Sequence, residues 1–157
     1  MADLKFSIIT CSTTRNLEED TAGLALEELI GNSGWSLLRR VVVPDVREEI
    51  ADAIVAAADS GADIVLTCGG SGLSLQDVTP EATADVCDRN VPGIAEAMRA
   101  TSLKITGRAM LSRAVCMQRG TTLVVNLPGS KKAATECFAA IYEQFEHAIQ
   151  MVAGGGH

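Results

Sequence analysis

The sequence predicts an α/β protein of three layers, α/β/α, with a parallel-dominated, mixed sheet covered by helices on both faces. Three observations point there. Short apolar runs at residues 4–10, 37–43, 63–67 and 121–126 are separated by stretches of helical period, the pattern of βαβ units. Hydrophobic residues make up 47% of the 157-residue chain but aromatics only 3%, so the core is Ala, Val, Leu and Ile, which suits strands buried on both faces. The apolar runs end in glycine, proline or small polar residues, as strand-to-helix loops do.

Residues 4–10 (L-K-F-S-I-I-T) read as the first strand and the polar stretch 11–19 as a turn. A helix over 20–30 carries Ala22, Leu26, Leu29 and Ile30 on one face and stops at Gly31-Asn32. The second strand, 37–43, has Arg39 and Arg40 near its start and ends at Pro44-Asp45. Val46, Ile50, Ile54, Val55 and Ala58 mark a second helix, closed by Gly61 before the third strand at 63–67. Thr79 as N-cap, Pro80 at the first helical position and the acid Glu81 open a helix over 79–88. Pro92-Gly93 starts an amphipathic helix through Met98 and Ala100, and a short helix is predicted over 109–116. The apolar strand 121–126 leads into Leu127-Pro128-Gly129. Ser130 then caps a last helix whose apolar stripe runs from Ala134 through Phe138, Ile141 and Phe145 to Val152. Residues 1–153 read as one domain of ordinary size, and 154–157 as a flexible tail outside it.

A formal charge of −7 argues against a nucleic-acid or anionic-membrane partner, which a basic surface would favour. An anionic ligand would need local devices: backbone N–H nests, helix N-termini, a metal or a few basic side chains. The five cysteines are odd in number, widely spaced and free of any Cys-x-x-Cys, which fits reduced thiols in the cytoplasm better than disulfides or a zinc site. No run has the length of a membrane span, and the N-terminus lacks a signal-peptide core. His147 sits one step off the stripe of the last helix, and no Ser-His-Asp set can be assembled.

The chain is organised around residues 66–86, L-T-C-G-G-S-G-L-S-L-Q-D-V-T-P-E-A-T-A-D-V. Between strand and helix lie Gly69, Gly70 and Gly72, around Ser71. Glycines let such a loop curl its N–H groups toward an anion and let the anion approach closely. The spacing is neither that of a dinucleotide-binding fingerprint nor that of a Walker A loop. Asp77, at the loop's end, suits a cation that accompanies a phosphate. In a parallel sheet, ligands bind outside the carboxyl ends of the strands, and the loops 10–16, 67–77 and 126–130 all lie at those ends, so they form one site. Asp45 either caps the helix that begins at Val46 or carries chemistry. Arg113 reads equally as a surface ion pair or a ligand contact. Pro128-Gly129-Ser130 leads into a helix N-terminus that attracts anions, beside Lys131 and Lys132, which add charge there or form a solvated first turn.

The run G-G-S-G-x-x-x-x-D-V-T-P-E-A from Gly69 to Ala82 closely resembles the G-G-T-G…D-V-T-P-E-A signature of the molybdopterin-binding, molybdopterin adenylyltransferase family, which includes the G domain of gephyrin. Val42-Val43-Pro44-Asp45, Ser112-Arg113-Ala114 and Asn126-Leu127-Pro128-Gly129-Ser130 extend the resemblance over nearly the whole chain. It implies a molybdopterin-binding fold, molybdopterin and ATP as substrates, Mg²⁺ as cofactor, and transfer of the adenylyl group to molybdopterin with release of pyrophosphate. It implies Asp45 and Asp77 as the catalytic, metal-linked acids, and Thr67, Gly69, Gly70, Ser71, Gly72, Ser112, Asn126, Pro128, Gly129, Ser130 and Lys132 as the ligand-binding set. It further implies a homotrimer or hexamer, serving a downstream molybdate-insertion protein. Three positions depart from the family pattern: Thr13 stands where an acid is usual, Gln76 where arginine is frequent, and Lys131 where proline is. The departures at Thr13 and Gln76 favour, as the alternative, a non-catalytic molybdopterin carrier.

Overall fold

The computed structural model describes residues 3–155. Among them, six strands form one sheet in the order β2-β1-β3-β6-β5-β4. Four strands are parallel: β1 (Lys5–Cys11), β2 (Ser36–Val43), β3 (Ile64–Cys68) and β6 (Thr122–Leu127). At one side β5 (Cys116–Arg119) runs antiparallel to β6, and β4 (Arg89–Asn90) antiparallel to β5. The expected parallel-dominated, mixed sheet between helical layers is what the chain forms.

Period-2 alternation divides the core into two clusters. Ile64, Leu66 and Cys68 of β3 and Leu123, Val125 and Leu127 of β6 face α1 (Thr21–Asn32), α4 (Pro92–Leu103) and α5 (Lys131–Ile141). Val65 and Val124, one residue out of phase, face α2 (Arg47–Asp59) and α3 (Thr79–Val86). Both sets are fully or almost fully buried, so a one-residue slip of register would exchange them between layers.

Three expectations are corrected. The segment 109–116 is not a helix. A 3₁₀ turn spans Gly107–Leu111, Ser112 is extended, and β5 begins at Cys116. The chain there hydrogen-bonds to its neighbours rather than to itself: Arg113 N–H donates to Ser71 O (2.9 Å) and Asn126 N–H to Val115 O (3.0 Å). The last helix is not continuous, because a 3₁₀ turn at Tyr142–Gln144 separates α5 from α6 (Phe145–Val152). The bend sets Phe145 under Phe6 and Trp35, with ring centroids 5.8 and 6.2 Å away, and with Phe138 and Tyr142 all five aromatics make one cluster. Thr79 does not cap α3. The N-cap position falls on Val78, with no side-chain bond. Ser130 does cap α5, accepting from Ala133 N–H. At the C-terminus Gly154 and Gly155 hydrogen-bond back to Met151 and Gln150, and residues 156 and 157 of the expected tail lie outside the described residues.

The loop after β1 is anchored by a buried acid. Asp20, fully buried, N-caps α1 through Gly23 N–H, accepts from Thr10 Oγ1 at 2.8 Å, and pairs with Arg40 on β2 at 3.1 Å. Removing one partner of such a pair leaves the other uncompensated. Asp20→Ala should therefore destabilise the protein by about 3 kcal/mol, and Asp20→Asn by less, as read from urea unfolding midpoints.

Candidate active site

The loop between β3 and α3 closes on itself through α3's first residue. Thr79 Oγ1 donates to Gly69 O (2.9 Å) and Thr79 N–H to Gly70 O (3.0 Å), while Gly69 N–H donates across to Leu127 O at the end of β6 (3.0 Å). Gly69 and Gly70 adopt φ of 93° and 70°, a region that side chains disfavour. There is no room for one either: a Cβ on Gly69 would lie 2.7 Å from Cys11 O, and one on Gly70 2.3 Å from Thr79 Oγ1. The two glycines are required by both conformation and space.

Arg113 ties down the rest of the loop. Its Nε donates to Gly72 O (2.7 Å), its Nη2 to Asp77 O (2.7 Å) and its Nη1 to Glu81 Oε2 (2.6 Å). Of the two readings left open for Arg113, the ion pair describes it, but the pair serves to brace the loop. One guanidinium thus spans both ends of the 72–77 segment and fixes it to α3, a planar geometry that lysine cannot reproduce.

The two acids meet this loop from opposite elements. Asp45, after β2, does not cap α2, whose N-cap is Val46 with no side-chain bond. Its Oδ1 instead faces Gly70, 3.5 Å from where a Cβ would sit. Asp77 turns back over the loop: its Oδ2 accepts from Ser74 N–H (3.2 Å) and would be 2.9 Å from a Cβ on Gly72. Both carboxylates therefore flank the same short run of backbone.

In front of the loop opens a cavity of about 530 Å³, lined by Gly69 to Gly72, Asp77, Ser112, Asn126, Pro128 and Gly129 among the expected residues. Its far wall is apolar, from Ala95 and Met98 of α4 to Ala133 and Cys137 of α5. Four expected residues stand apart from it; Asp45, which lies beside Gly70, is one of them. Thr67 is fully buried, and its Oγ1 accepts from Asn126 Nδ2 at 3.0 Å. Ser130 is occupied in capping, and Lys132, like Lys131, is exposed on the first turn of α5 away from the cavity lining. Asn126 reaches the cavity wall, but its polar atoms are taken: Nδ2 also donates to Thr83 Oγ1 (3.0 Å), and Oδ1 accepts from Val115 N–H (3.2 Å).

Two lining residues were missed by sequence reasoning. Arg99 donates to the carbonyls of Ser112 and Ala114. Arg108, on the 3₁₀ turn, lines the cavity with no partner for its guanidinium among the described residues. A lone arginine just before a stretch read as helix carries no sequence signal of this kind. The thiols offer no nucleophile. Burial pushes Cys11 and Cys116 up to about 12 and Cys87 to about 11, and raises Cys68 and Cys137 as well.

A family model described as a probable molybdopterin binding domain matches residues 7–147. The chain belongs to that family. A molybdopterin adenylyltransferase of Helicobacter pylori is 33% identical over 159 aligned residues, covering 98% of this chain and 90% of its own. Among solved structures, the molybdopterin biosynthesis enzyme MoaB of Thermus thermophilus superposes with a TM-score of 0.88 at 38% identity, covering 98% of this chain and 99% of its own. The Mog protein of Mycobacterium ulcerans gives 0.89 at 33% identity, over 98% and 99% of the two chains. The family's sheet and flanking helices are those described above.

The Arg113 brace has a pH signature. The guanidinium holds the Glu81 carboxyl below its ordinary value of 4.5. A depressed carboxyl stabilises the fold above its unfolded pKa and loses that contribution as pH falls through the folded pKa. The stability difference between wild type and Glu81→Gln should therefore be constant above about pH 5 and vanish on further acidification. Both side chains are about a third exposed, so its size should stay below about 1 kcal/mol. Thermal melts across pH 3–7 check it.

Proposed function

We propose that this protein acts in molybdenum cofactor biosynthesis and adenylylates molybdopterin, with Mg-ATP as the donor. The observation that carries the reading is the glycine loop itself: left-handed backbone forming one wall of the cavity, with Asp77 in the lining beside Gly72 and Asp45 beside Gly70. In the reaction molybdopterin attacks the α-phosphorus of ATP, the bond to the bridging oxygen breaks, and pyrophosphate leaves. Such a transfer asks a protein for positioning and charge stabilisation rather than a covalent intermediate. The absence of an accessible, activated thiol among the described residues is compatible with that demand.

The donor set suits Mg²⁺. The described residues contain no cluster of three metal-binding side chains, and Mg²⁺ commonly takes one or two carboxylates and completes its shell with phosphate oxygens and water. Asp45 and Asp77 would hold it, and when bound it supplies neutralisation of charge on the phosphates. Backbone N–H groups of the loop and the guanidinium of Arg108 would receive the anionic oxygens, while the apolar wall on α4 and α5 would take a ring. In this reading residues 1–153 work as one cytoplasmic domain, assembled as a homotrimer or hexamer and handing the product to a molybdate-insertion protein.

The test mixes protein, molybdopterin and Mg-ATP and follows adenylylated molybdopterin and pyrophosphate. Asp77→Asn should keep the fold and most of the molybdopterin affinity but lower turnover by about 100-fold or more; near-wild-type turnover would remove Asp77 from the chemistry. Tight molybdopterin binding by the wild type without product would make the protein a carrier. Arg108→Gln should raise KM for one of the two substrates about tenfold, the worth of one charge-assisted hydrogen bond, with kcat little changed; an unaltered KM for both would exclude Arg108 from ligand contact.

A further inference from the structure

The loop after β1 contributes a residue to the site that shape alone does not require. Thr13 and Asp45 share three hydrogen bonds. Thr13 N–H and Oγ1 both donate to Asp45 Oδ2, at 3.2 and 3.0 Å, and Asp45 N–H donates back to Thr13 Oγ1 at 3.2 Å. Both donors of Thr13 thus fall on one carboxylate oxygen. No hydrogen bond reaches Oδ1 among the described residues, and this oxygen is the one that faces Gly70.

The loop does not need these bonds to keep its course. Ser12 N–H donates to Val43 O (2.8 Å), Ser12 Oγ accepts from Thr14 and Arg15 N–H, Arg15 Nη1 donates to Gly129 O (3.2 Å), and Asn16 and Glu19 bond each other reciprocally. Thr13 itself is exposed. Asp45, for its part, has no cap to make and no cation beside it in an ion pair among the described residues. Without Thr13 its side chain would be free to turn away from the glycine loop.

We propose that Thr13 is a positioning residue for Asp45: by binding Oδ2 it aims Oδ1 at the glycine loop, so that Asp45 offers a divalent cation a single, pre-oriented oxygen. This rests on the metal-linked role given to Asp45 above. Groups that orient a metal ligand in this way are typically worth about 10–100-fold in metal affinity. The hydroxyl is the decisive part, because the N–H donor survives any substitution at this position except proline.

The test reads metal binding directly rather than turnover. Mn²⁺ is titrated, by electron paramagnetic resonance, into protein saturated with α,β-methylene ATP, for wild type, Thr13→Val, Thr13→Ser and Asp45→Asn. The expected result is a dissociation constant about tenfold higher for Thr13→Val, a value for Thr13→Ser within about twofold of wild type, and loss of the site in Asp45→Asn. Thr13→Val matching wild type while Asp45→Asn loses the metal would overturn the role of Thr13 and leave that of Asp45 standing. Mn²⁺ binding unchanged in Asp45→Asn would overturn both. Equal weakening by Thr13→Ser and Thr13→Val would also count against the hydroxyl, since serine keeps it.

Discussion

The closure of the β3–α3 loop by Thr79 is the constraint on which the site depends. Its hydroxyl and its N–H together hold the carbonyls of Gly69 and Gly70, and that pair of bonds fixes the curl of the backbone between strand and helix. Thr79 is fully buried, so the two bonds form away from competing water, where an unmet carbonyl would be costly. Only residues without a Cβ tolerate the resulting curl. The loop is therefore a rigid object before any ligand arrives, which is the property an oxyanion or phosphate site needs.

The parallel strands decide what surrounds that loop. β1, β2, β3 and β6 all point their carboxyl ends to one edge, so the residues after each of them become neighbours although they are far apart in sequence. Thr13, Asp45, the glycine loop and Gly129 come from four different strands' ends. Bonds from Ser12 to Val43, from Gly69 to Leu127 and from Arg15 to Gly129 lace them together. The antiparallel pair β5–β4 adds the remaining wall by carrying Ser112 to Ala114 past the loop before pairing begins.

Positive charge is sparse around the cavity. A chain of net charge −7 has little long-range attraction for an anion, and most of its arginines near the site are engaged. Arg113 braces the loop, Arg99 holds the carbonyls of Ser112 and Ala114, and Arg15 holds Gly129. Arg108 alone among these keeps its guanidinium uncommitted in the described residues. Attraction for an anion must then come at short range, from backbone N–H groups, from this arginine and from a cation on the acids.

Much of this was legible in the residues. The alternation of apolar runs with helical periods was enough for the layered fold, because burial on both faces of a strand leaves a continuous apolar signature. Gly69, Gly70 and Asp77 stood out because a turn without Cβ atoms and an acid beside it are local facts, and local facts survive in sequence; Asp45, left open between a cap and chemistry, drew its role only from the family resemblance. The segment 109–116 misled for the opposite reason: its helical spacing is real, but Arg113 and Val115 find hydrogen-bond partners on Ser71 and Asn126, and tertiary pairing overrides local propensity. The same holds for the polar residues. Sequence alone could not tell that Asn126 commits its polar atoms to Thr67, Thr83 and Val115, that Arg113 reaches a loop carbonyl 41 residues earlier, or that Thr13 holds Asp45. What the sequence by itself determined was the fold class and the loop at its centre, since both rest on backbone conformation and apolar period. What only the tertiary structure decided was which polar side chains remain free, because a hydrogen bond is settled by neighbours that the chain order does not record.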